Sequence, residues 1–323
     1  MELNEFLAEW HNDNPRILVH TSGSTGKPKP LMVEKRRMLN SARITCDFLR
    51  LKPGDTALLC MPLDYIAGKM MVVRSLQRDL RLTSVRPSSH PLADETLPHF
   101  TFAAMVPMQV YNSLKVPCER ERLMRIRHLI IGGGAISDEL AQMIKPLPNA
   151  VWSTYGMTET LSHIALRRLN GPDASLWYTP FDGVGISLNA DGCLVIDAPE
   201  VCAEPLATND IAQLRTDDRT GKTLFRIKGR KDNVVCSGGI KIQIEEVEET
   251  LRPHLSAPFM IVKKQDEMLG EKAILLTESA DLTHIEEICR NTLPKYWVPR
   301  EFLHIDHLPL TETGKPKRSG IEV

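Results

Sequence analysis

The sequence predicts an α/β fold: a large N-terminal domain with mostly parallel sheets and helices, followed by a small α+β domain. Short continuous apolar runs have the composition of strands that are covered on both faces, and they lie at 56–61, 101–106 and 128–131. Apolar residues recur at helical spacing between these runs, over 36–51, 67–76 and 109–114. The alternation of strand and helix indicates a mostly parallel sheet.

The chain opens with a predicted strand, loop and strand over residues 16–35. The apolar triplets 17–19 and 31–33 are expected to be buried strands on either side of the loop. The helix over 36–51 is expected to stop at the Lys-Pro-Gly-Asp turn that follows it. Later strands are predicted at 192–199 and 222–228.

The composition changes near Gly229, which divides the chain into predicted domains of residues 1–228 and 229–323. The second domain should contain a glycine-rich bend, an acidic helix around 245–249, two strands and a helix over 284–293. Roughly ninety residues are enough for a small domain that folds by itself. The segment 308–318 is polar and basic, so we expect an exposed loop.

Charge and cysteine usage narrow the class of protein. The 323 residues include 40 basic and 41 acidic side chains, a balance that gives no positive field for nucleic acid or a membrane surface. No apolar stretch approaches the length of a membrane span, and residues 1–14 are too acidic for a signal peptide. The seven cysteines form no C-x-x-C pair, which predicts reduced thiols in the cytoplasm and argues against a zinc site.

Residues 20–29, HTSGSTGKPK, are the most informative run. Glycines let such a loop turn its backbone N–H groups inward, while hydroxyls and lysines add donors and positive charge, which suits a polyphosphate. The run is not a Walker-type loop, since only two residues separate Gly23 from Gly26. The candidate phosphate-binding residues are Thr21, Ser22, Gly23, Ser24, Thr25, Gly26 and Lys27.

Three further segments have the composition of ligand-contacting loops, and each has a plainer reading. The glycines of 132–134 permit a flat ring to approach the backbone, or they form an ordinary strand-to-helix turn. Glu159, among hydroxyls, is either a Mg²⁺ ligand or an acid at the start of a helix. Asp210, expected at a strand end, either accepts the hydroxyls of a ribose or is a turn residue.

Together these segments resemble, in order, the acyl-adenylate-forming superfamily, which includes acyl- and aryl-CoA ligases, luciferases and adenylation domains of peptide synthetases. TSGSTGKPK is similar to its phosphate-binding signature and YGMTET (155–160) to its second hallmark. TND (208–210) stands where the superfamily usually has TGD. GRKDNVVCSGG (229–239) resembles its hinge segment and PLTETGKPKR (309–318) its C-terminal lysine loop.

The resemblance implies ATP, Mg²⁺ and CoA as ligands, and it gives each motif a role. The Ser/Thr/Gly loop would hold the β- and γ-phosphates. The adenine site would contain Gly133, Gly134, Ala135, Tyr155 and Gly156. Thr158 would contact the α-phosphate and Glu159 the Mg²⁺, while Asp210 and Arg230 would bind the ribose. Lys315 would bridge the acid's carboxylate and the α-phosphate during adenylation.

The same resemblance implies that the small domain is mobile, with Asp232 as its hinge. Its rotation after adenylation would withdraw the lysine and bring Ser237, Gly238 and Gly239 toward a tunnel for the CoA thiol. Ile240 stands where many relatives have an acidic residue.

The acid is suggested by MPLDYIAGKMMVVRSL (61–76), which resembles the substrate-pocket helix of these ligases. Asp64 and Tyr65 replace the Phe-His pair that this helix usually has, and Tyr65 is a candidate substrate contact. Arg74 lies on so apolar a segment that its guanidinium needs a carboxylate partner. That partner is either within the protein or on the substrate, unless Arg74 faces solvent.

An Arg at this position, with a Ser where this chain has Ser162, is similar to members of the o-succinylbenzoate–CoA ligase family of menaquinone biosynthesis. The resemblance implies an aromatic dicarboxylate substrate, with Arg74 and Ser162 holding the carboxylate that is not activated. Relatives have well over a hundred residues before the phosphate loop, so we expect a domain truncated at its front, and a homodimer is one way to cover the exposed surface. The alternatives are adenylation of another aryl or acyl acid and a catalytically silent nucleotide-binding regulator.

Overall fold

A computed structural model describes residues 1–20, 30–134, 136–310 and 317–318. Its α-helices are α1 (Leu3–His11), α2 (Lys35–Phe48), α3 (Ile66–Arg78), α4 (Pro107–Lys115), α5 (Pro117–Met124), α6 (Asp138–Ile144), α7 (Ile244–Leu251) and α8 (Leu282–Thr292). Short 3-10 helices span Thr158–Thr160 and Lys231–Asn233. Within this described part, no helix is both long and apolar enough to cross a membrane.

The strands follow in chain order. They are β1 (Arg16–His20), β2 (Pro30–Glu34), β3 (Thr56–Leu59), β4 (Arg81–Ser84), β5 (Phe102–Met105), β6 (His128–Ile131), β7 (Ala150–Gly156), β8 (His163–Arg168), β9 (Thr179–Pro180), β10 (Gly185–Leu188), β11 (Cys193–Asp197), β12 (Leu206–Thr216), β13 (Thr223–Arg230), β14 (Val234–Ser237), β15 (Ile240–Gln243), β16 (Phe259–Asp266), β17 (Gly270–Thr277) and β18 (Glu301–His304).

The largest sheet has seven strands in the order β4-β3-β5-β6-β7-β8-β9. Its first five strands are parallel, whereas β8 and β9 pair in the antiparallel sense. Strands β5 and β6 are buried almost throughout, as their continuous apolar composition predicts. The predicted α/β fold class is therefore confirmed.

Helix α3 is buried on all sides from Gly68 to Ser75. This stretch is enclosed although it contains charged residues, and α3 packs against α2 and β3. Gly68 allows this packing, because a Cβ there would lie 2.3 Å from the carbonyl oxygen of Pro62. Arg74 thus lies on an enclosed helix.

Strands β1 and β2 form a two-stranded antiparallel ribbon. The expectation that both triplets are buried was wrong for Leu18 and Met32, which pair with each other and are 38% and 48% exposed. Successive side chains of a strand point to opposite faces, so only Ile17, Val19 and Val33 reach the core.

The part of the chain after β13 contains a five-stranded sheet, ordered β15-β14-β17-β16, in which β18 also pairs with β17 in the parallel sense. Its apolar core includes Val235, Val247 and Leu275. A buried carboxylate, Glu248, binds the guanidinium of Arg318 with both oxygens and also accepts the Ile261 N–H. Arg318, the last residue of the predicted lysine loop, is therefore anchored to this core.

The chain divides into two compact units, of which the first contains 1–186, 196–206 and 215–225. The second unit contains 187–195, 207–214 and 226–323. Strands β10 to β13 form a four-stranded sheet in that order. The domain boundary at 228/229 stays a prediction.

Candidate active site

Several predicted site residues lie outside the described part of the chain: Thr21, Ser22, Gly23, Ser24, Thr25, Gly26, Lys27, Ala135 and Lys315. The described residue just before the first of these segments is His20, at the end of β1. His20 forms a parallel backbone bridge with Tyr65, which directly precedes α3. His20, the described residue that precedes the predicted phosphate loop in the sequence, therefore lies beside the start of the predicted substrate helix.

The glycine loop follows β6, whose neighbour β7 runs parallel to it. Gly132 has no room for a side chain, because a Cβ would lie 2.5 Å from the Thr154 hydroxyl oxygen. Gly133 has φ of +81°, a left-handed conformation that favours glycine. The loop and the end of β7 share the carboxyl edge of the sheet, where α/β proteins commonly bind their ligands.

Aromatic rings surround Tyr155 near the end of β7. Its ring centroid is 5.0 Å from that of Phe225 and 5.8 Å from that of Tyr178. The Tyr178 hydroxyl is 2.9 Å from the Ser153 hydroxyl, which fixes its ring. Phe225 is fully buried, whereas Tyr155 and Tyr178 are partly exposed, and an exposed aromatic ring face is the kind of surface that stacks on a purine. The sequence predicts Tyr155 as a site residue, whereas no motif indicates Tyr178 and Phe225, which are distant from it in the sequence.

A tight turn connects β7 to β8 and orients Thr158 and Glu159. The Thr160 hydroxyl accepts the Met157 N–H and donates to the Ser162 carbonyl, and Leu161 has φ of +64°. Thr158 is buried and Glu159 is exposed. The turn thereby leaves the carboxylate of Glu159 exposed.

Gly156 is a position where the turn tolerates no side chain, because a Cβ would lie 2.1 Å from the Ser162 carbonyl oxygen. We expect Gly156→Ala to lower the free energy of unfolding by about 1–3 kcal/mol, since the backbone must shift to relieve the overlap. Chemical denaturation measures this change. Gly185→Ala is the matched control, because its Cβ would make only ordinary contacts with Asp197. Equal effects of the two substitutions would contradict this packing.

The chemistry of Glu159 fits a Mg²⁺ ion that arrives with a nucleotide. Mg²⁺ usually keeps several waters and binds one or two carboxylates together with substrate phosphates. Across the described residues, no group of three or more His, Cys, Asp or Glu side chains could cage a metal by itself. A single exposed carboxylate among hydroxyls is a donor set that suits an ion shared with phosphates.

The predicted ribose and hinge residues come together in the second unit. Arg230 contacts the Asp210 carboxylate at 3.4 Å and the Asp232 carboxylate at 2.8 Å. The Asn209 amide lies 3.3 and 3.4 Å from the two carboxylate oxygens of Asp232. Asn209 is the residue that departs from the TGD pattern, and here it contacts the predicted hinge.

Asp210 was expected at a strand end, and that expectation was wrong. It lies within the eleven-residue strand β12, between the buried residues Thr208 and Ala212. The strand continues through Asp210 because Thr208 and Ala212, which lie on the same face of the strand, are buried.

The predicted thiol-tunnel segment forms a hairpin between β14 and β15. Ser237 pairs with Ile240, which leaves Gly238 and Gly239 as a two-residue loop. Their φ values of +56° and +83° are those of the tight hairpin turn that glycine favours at both positions.

Arg74 is only 2% exposed and forms no ion pair with any carboxylate of the described residues. Its Nη2 donates to the Ser162 hydroxyl and its Nη1 lies 4.0 Å from the Met71 sulfur. Its Nε is buried with no hydrogen-bond partner in the described part of the chain. Burial lowers the pKa of Arg74 to about 10, so it remains a cation near neutral pH. Among the described residues, neither of the two purely structural interpretations holds, since Arg74 has no internal ion pair and is not exposed.

Two residues that sequence reasoning missed complete this buried group. His163 lies 3.1 Å from the Ser162 hydroxyl through Nδ1 and 3.1 Å from the Thr45 hydroxyl through Nε2. Burial, together with the neighbouring Arg74 cation, holds the pKa of His163 well below its usual value. Thr45 is on α2 and His163 is on β8, so no local pattern could have joined them.

The lowered pKa of His163 predicts a loss of stability in acid. The unfolded chain takes up a proton as pH falls through about 6.5, whereas the folded protein does not, so stability present above that pH is lost below it. The contribution approaches about 1.4 kcal/mol per pH unit. His163→Gln should flatten the dependence of the unfolding free energy between pH 7 and 5 by that amount. Parallel curves for the two proteins would refute the prediction, while His128, whose pKa burial lowers to about 4, contributes equally to both.

A family model described as AMP-binding enzyme matches residues 4–203. The chain belongs to the AMP-binding enzyme family. The resemblance to the acyl-adenylate-forming superfamily is thus confirmed. A solved structure of this family, the acyl-CoA synthetase (AMP-forming)/AMP-acid ligase II-like protein of Dyadobacter fermentans, is 33% identical to this AMP-binding enzyme. The match covers 97% of this chain and 91% of that one, with a TM-score of 0.67.

Among curated relatives, the 2-succinylbenzoate–CoA ligase of Salmonella typhimurium is 27% identical over 98% of this chain and 69% of its own length. The ligase of the same name from Bacillus mycoides is 25% identical over 95% of this chain and 69% of its own length. The O-succinylbenzoate CoA synthetase of Bacillus subtilis, solved with ATP and a magnesium ion, is 22% identical and shares the fold with a TM-score of 0.74, covering 94% of this chain and 69% of that one. The AMP-binding enzyme therefore spans about two thirds of the length of these relatives.

Proposed function

We propose that this chain is an ATP-dependent acid–CoA ligase that works through an acyl-adenylate, and that its acid is 2-succinylbenzoate. In the first half-reaction, a carboxylate oxygen of the acid attacks the α-phosphorus of ATP and diphosphate leaves. In the second, the CoA thiol attacks the acyl carbonyl and AMP leaves, which gives 2-succinylbenzoyl-CoA. Membership of the AMP-binding family supports the reaction class, and the curated relatives support the choice of acid.

The observation that carries the choice of acid is the buried Arg74 cation with its unpartnered Nε. Burying a charge is costly unless it is paired, so a guanidinium held in this way is completed by an anion from outside the described residues. Arginine also matches the planar geometry of a carboxylate, which it can bind with two parallel hydrogen bonds. A dicarboxylic acid supplies one carboxylate to Arg74 and keeps the other for activation.

In this proposal each part of the site has one task. The phosphate loop binds the polyphosphate, and Tyr155 with the glycine loop binds adenine. Thr158 holds the α-phosphate, while Glu159 holds Mg²⁺, which when bound neutralises phosphate charge. Asp210 and Arg230 bind the ribose, and Tyr65 borders the acid. Residues 229–323 form the small domain that carries the hinge residue Asp232, the Ser237–Gly239 hairpin and Lys315.

A substrate panel tests this function. Acid-dependent exchange of labelled diphosphate into ATP measures adenylation, and CoA-dependent release of AMP measures the full reaction. We expect both with 2-succinylbenzoate and much weaker exchange with benzoate or a fatty acid. Turnover of a fatty acid but not of the dicarboxylate would refute the choice of acid. A protein that binds ATP without exchange for any acid would refute the enzymatic assignment.

A further inference from the structure

The buried group around Arg74 forms a continuous chain of hydrogen bonds whose direction can be deduced. It runs from Arg74 through Ser162, His163 and Thr45 to the carbonyl oxygen of Ser41. All of these side chains except that of Ser162 are less than 9% exposed. Four elements contribute, since Ser41 and Thr45 are on α2, Arg74 is on α3, Ser162 is in the turn after β7 and His163 begins β8.

The two ends of this hydrogen-bond chain fix the position of every proton in it. A carbonyl oxygen only accepts, so the Thr45 hydroxyl donates to Ser41 at 3.0 Å and must accept from His163 Nε2. His163 therefore carries its proton on Nε2, and its Nδ1 accepts from the Ser162 hydroxyl. A guanidinium only donates, so the Ser162 oxygen accepts from Arg74. Each bond is thus made in the one direction that leaves every hydroxyl satisfied.

From this chain we propose that His163 is a positioning residue that, through Ser162, holds Arg74 in the orientation that binds the second carboxylate of the acid. The proposal rests on the proposed function. His163 touches neither the substrate nor the reacting atoms. Its neutral Nδ1 keeps the Ser162 proton turned away from Arg74, which leaves the Ser162 oxygen free to accept from Nη2. Nε, which has no hydrogen-bond partner among the described residues, is the donor that this orientation leaves for a carboxylate.

A pair of substitutions at residue 163 tests the proposal. His163→Leu removes both ring nitrogens, whereas His163→Gln keeps an acceptor for Ser162 and a donor for Thr45. We expect His163→Leu to raise KM for 2-succinylbenzoate by about tenfold or more, since the loss of an orienting hydrogen bond is worth about one such factor. KM for a monocarboxylic analogue that lacks the second carboxylate should stay within about twofold, and His163→Gln should restore most of the loss.

Other results separate the failure of this proposal from that of the function. An equal rise in KM for both acids, or the same loss with Leu and Gln, would overturn the positioning role while the ligase assignment stands. Wild-type activity toward monocarboxylic acids alone would overturn the proposed acid, and the positioning role with it.

Two further measurements are independent of how well His163→Leu folds. Thr45→Val is a near-isosteric change at the end of the hydrogen-bond chain away from Arg74. It should also raise KM for the dicarboxylate, by a smaller factor than His163→Leu. Nitrogen-15 spectra of the wild-type imidazole should show the proton on Nε2. A proton on Nδ1 would overturn the proposed direction of the chain, whatever the activity.

Discussion

Replacing Lys315 by alanine is expected to slow adenylation by about 10³-fold or more while ATP binding is largely kept. The physical reason is that charge develops on the attacking carboxylate and the α-phosphate oxygens during in-line displacement, and one well-placed cation stabilises both. Such a cation acts mainly in the transition state, so kcat should fall far more than KM for ATP rises. Diphosphate exchange measures the first effect and nucleotide titration measures the second.

Measuring the two half-reactions separately distinguishes a role of Lys315 in adenylation from a general loss of structure. If Lys315 serves adenylation, the Lys315→Ala protein should still convert added acyl-adenylate and CoA into acyl-CoA at close to the wild-type rate. Lys295→Ala is the control, because it removes an exposed cation from the same unit of the chain. Equal loss of both half-reactions, or a similar loss in the control, would contradict a specific role for Lys315.

The sequence was sufficient to predict elements that are buried along their whole length and residues that belong to a local motif. Strands β5 and β6 are apolar at nearly every position, so their composition alone indicates a covered strand. Helix α5 was missed because only Glu119 and Leu123 of its eight residues are buried, which leaves almost no apolar periodicity to detect. Strand β12 was missed for a related reason: its polar residues read as a turn, while pairing within a sheet keeps it extended.

In the candidate site, the sequence indicates a functional residue but not the residues that it contacts. Arg74 stood out because a charged residue interrupts an apolar segment, and that signal is local. Its surroundings are not local: Thr45 precedes His163 by 118 positions, and only the packing of α2 against the sheet brings them within 3.1 Å. A local sequence pattern can thus indicate a functional side chain, whereas the residues that orient it can be identified only from tertiary contacts.

Arg74→Met is expected to reduce activity on the dicarboxylic acid without reducing the stability of the protein. The second carboxylate of the acid would lose a charge-assisted partner in a buried site, which costs about 2–4 kcal/mol, or roughly 30- to 1000-fold in kcat/KM. A monocarboxylic analogue makes no such contact and should be affected little. The free energy of unfolding should stay the same or rise, because methionine has a similar reach and removes a buried charge that has no carboxylate partner among the described residues.

A loss of activity on the dicarboxylic acid together with retained stability is the result that tests the site. Arg78→Met is a matched control, since it removes a cation one turn further along α3 that pairs with Asp47 and is more exposed. That variant should leave the preference between dicarboxylic and monocarboxylic acids unchanged. A structural cation would behave differently: Arg74→Met would then lower the unfolding free energy by several kcal/mol and reduce activity on every acid alike. Selective loss on the dicarboxylate with stability retained is expected only if α3 holds a charge whose partner is the substrate.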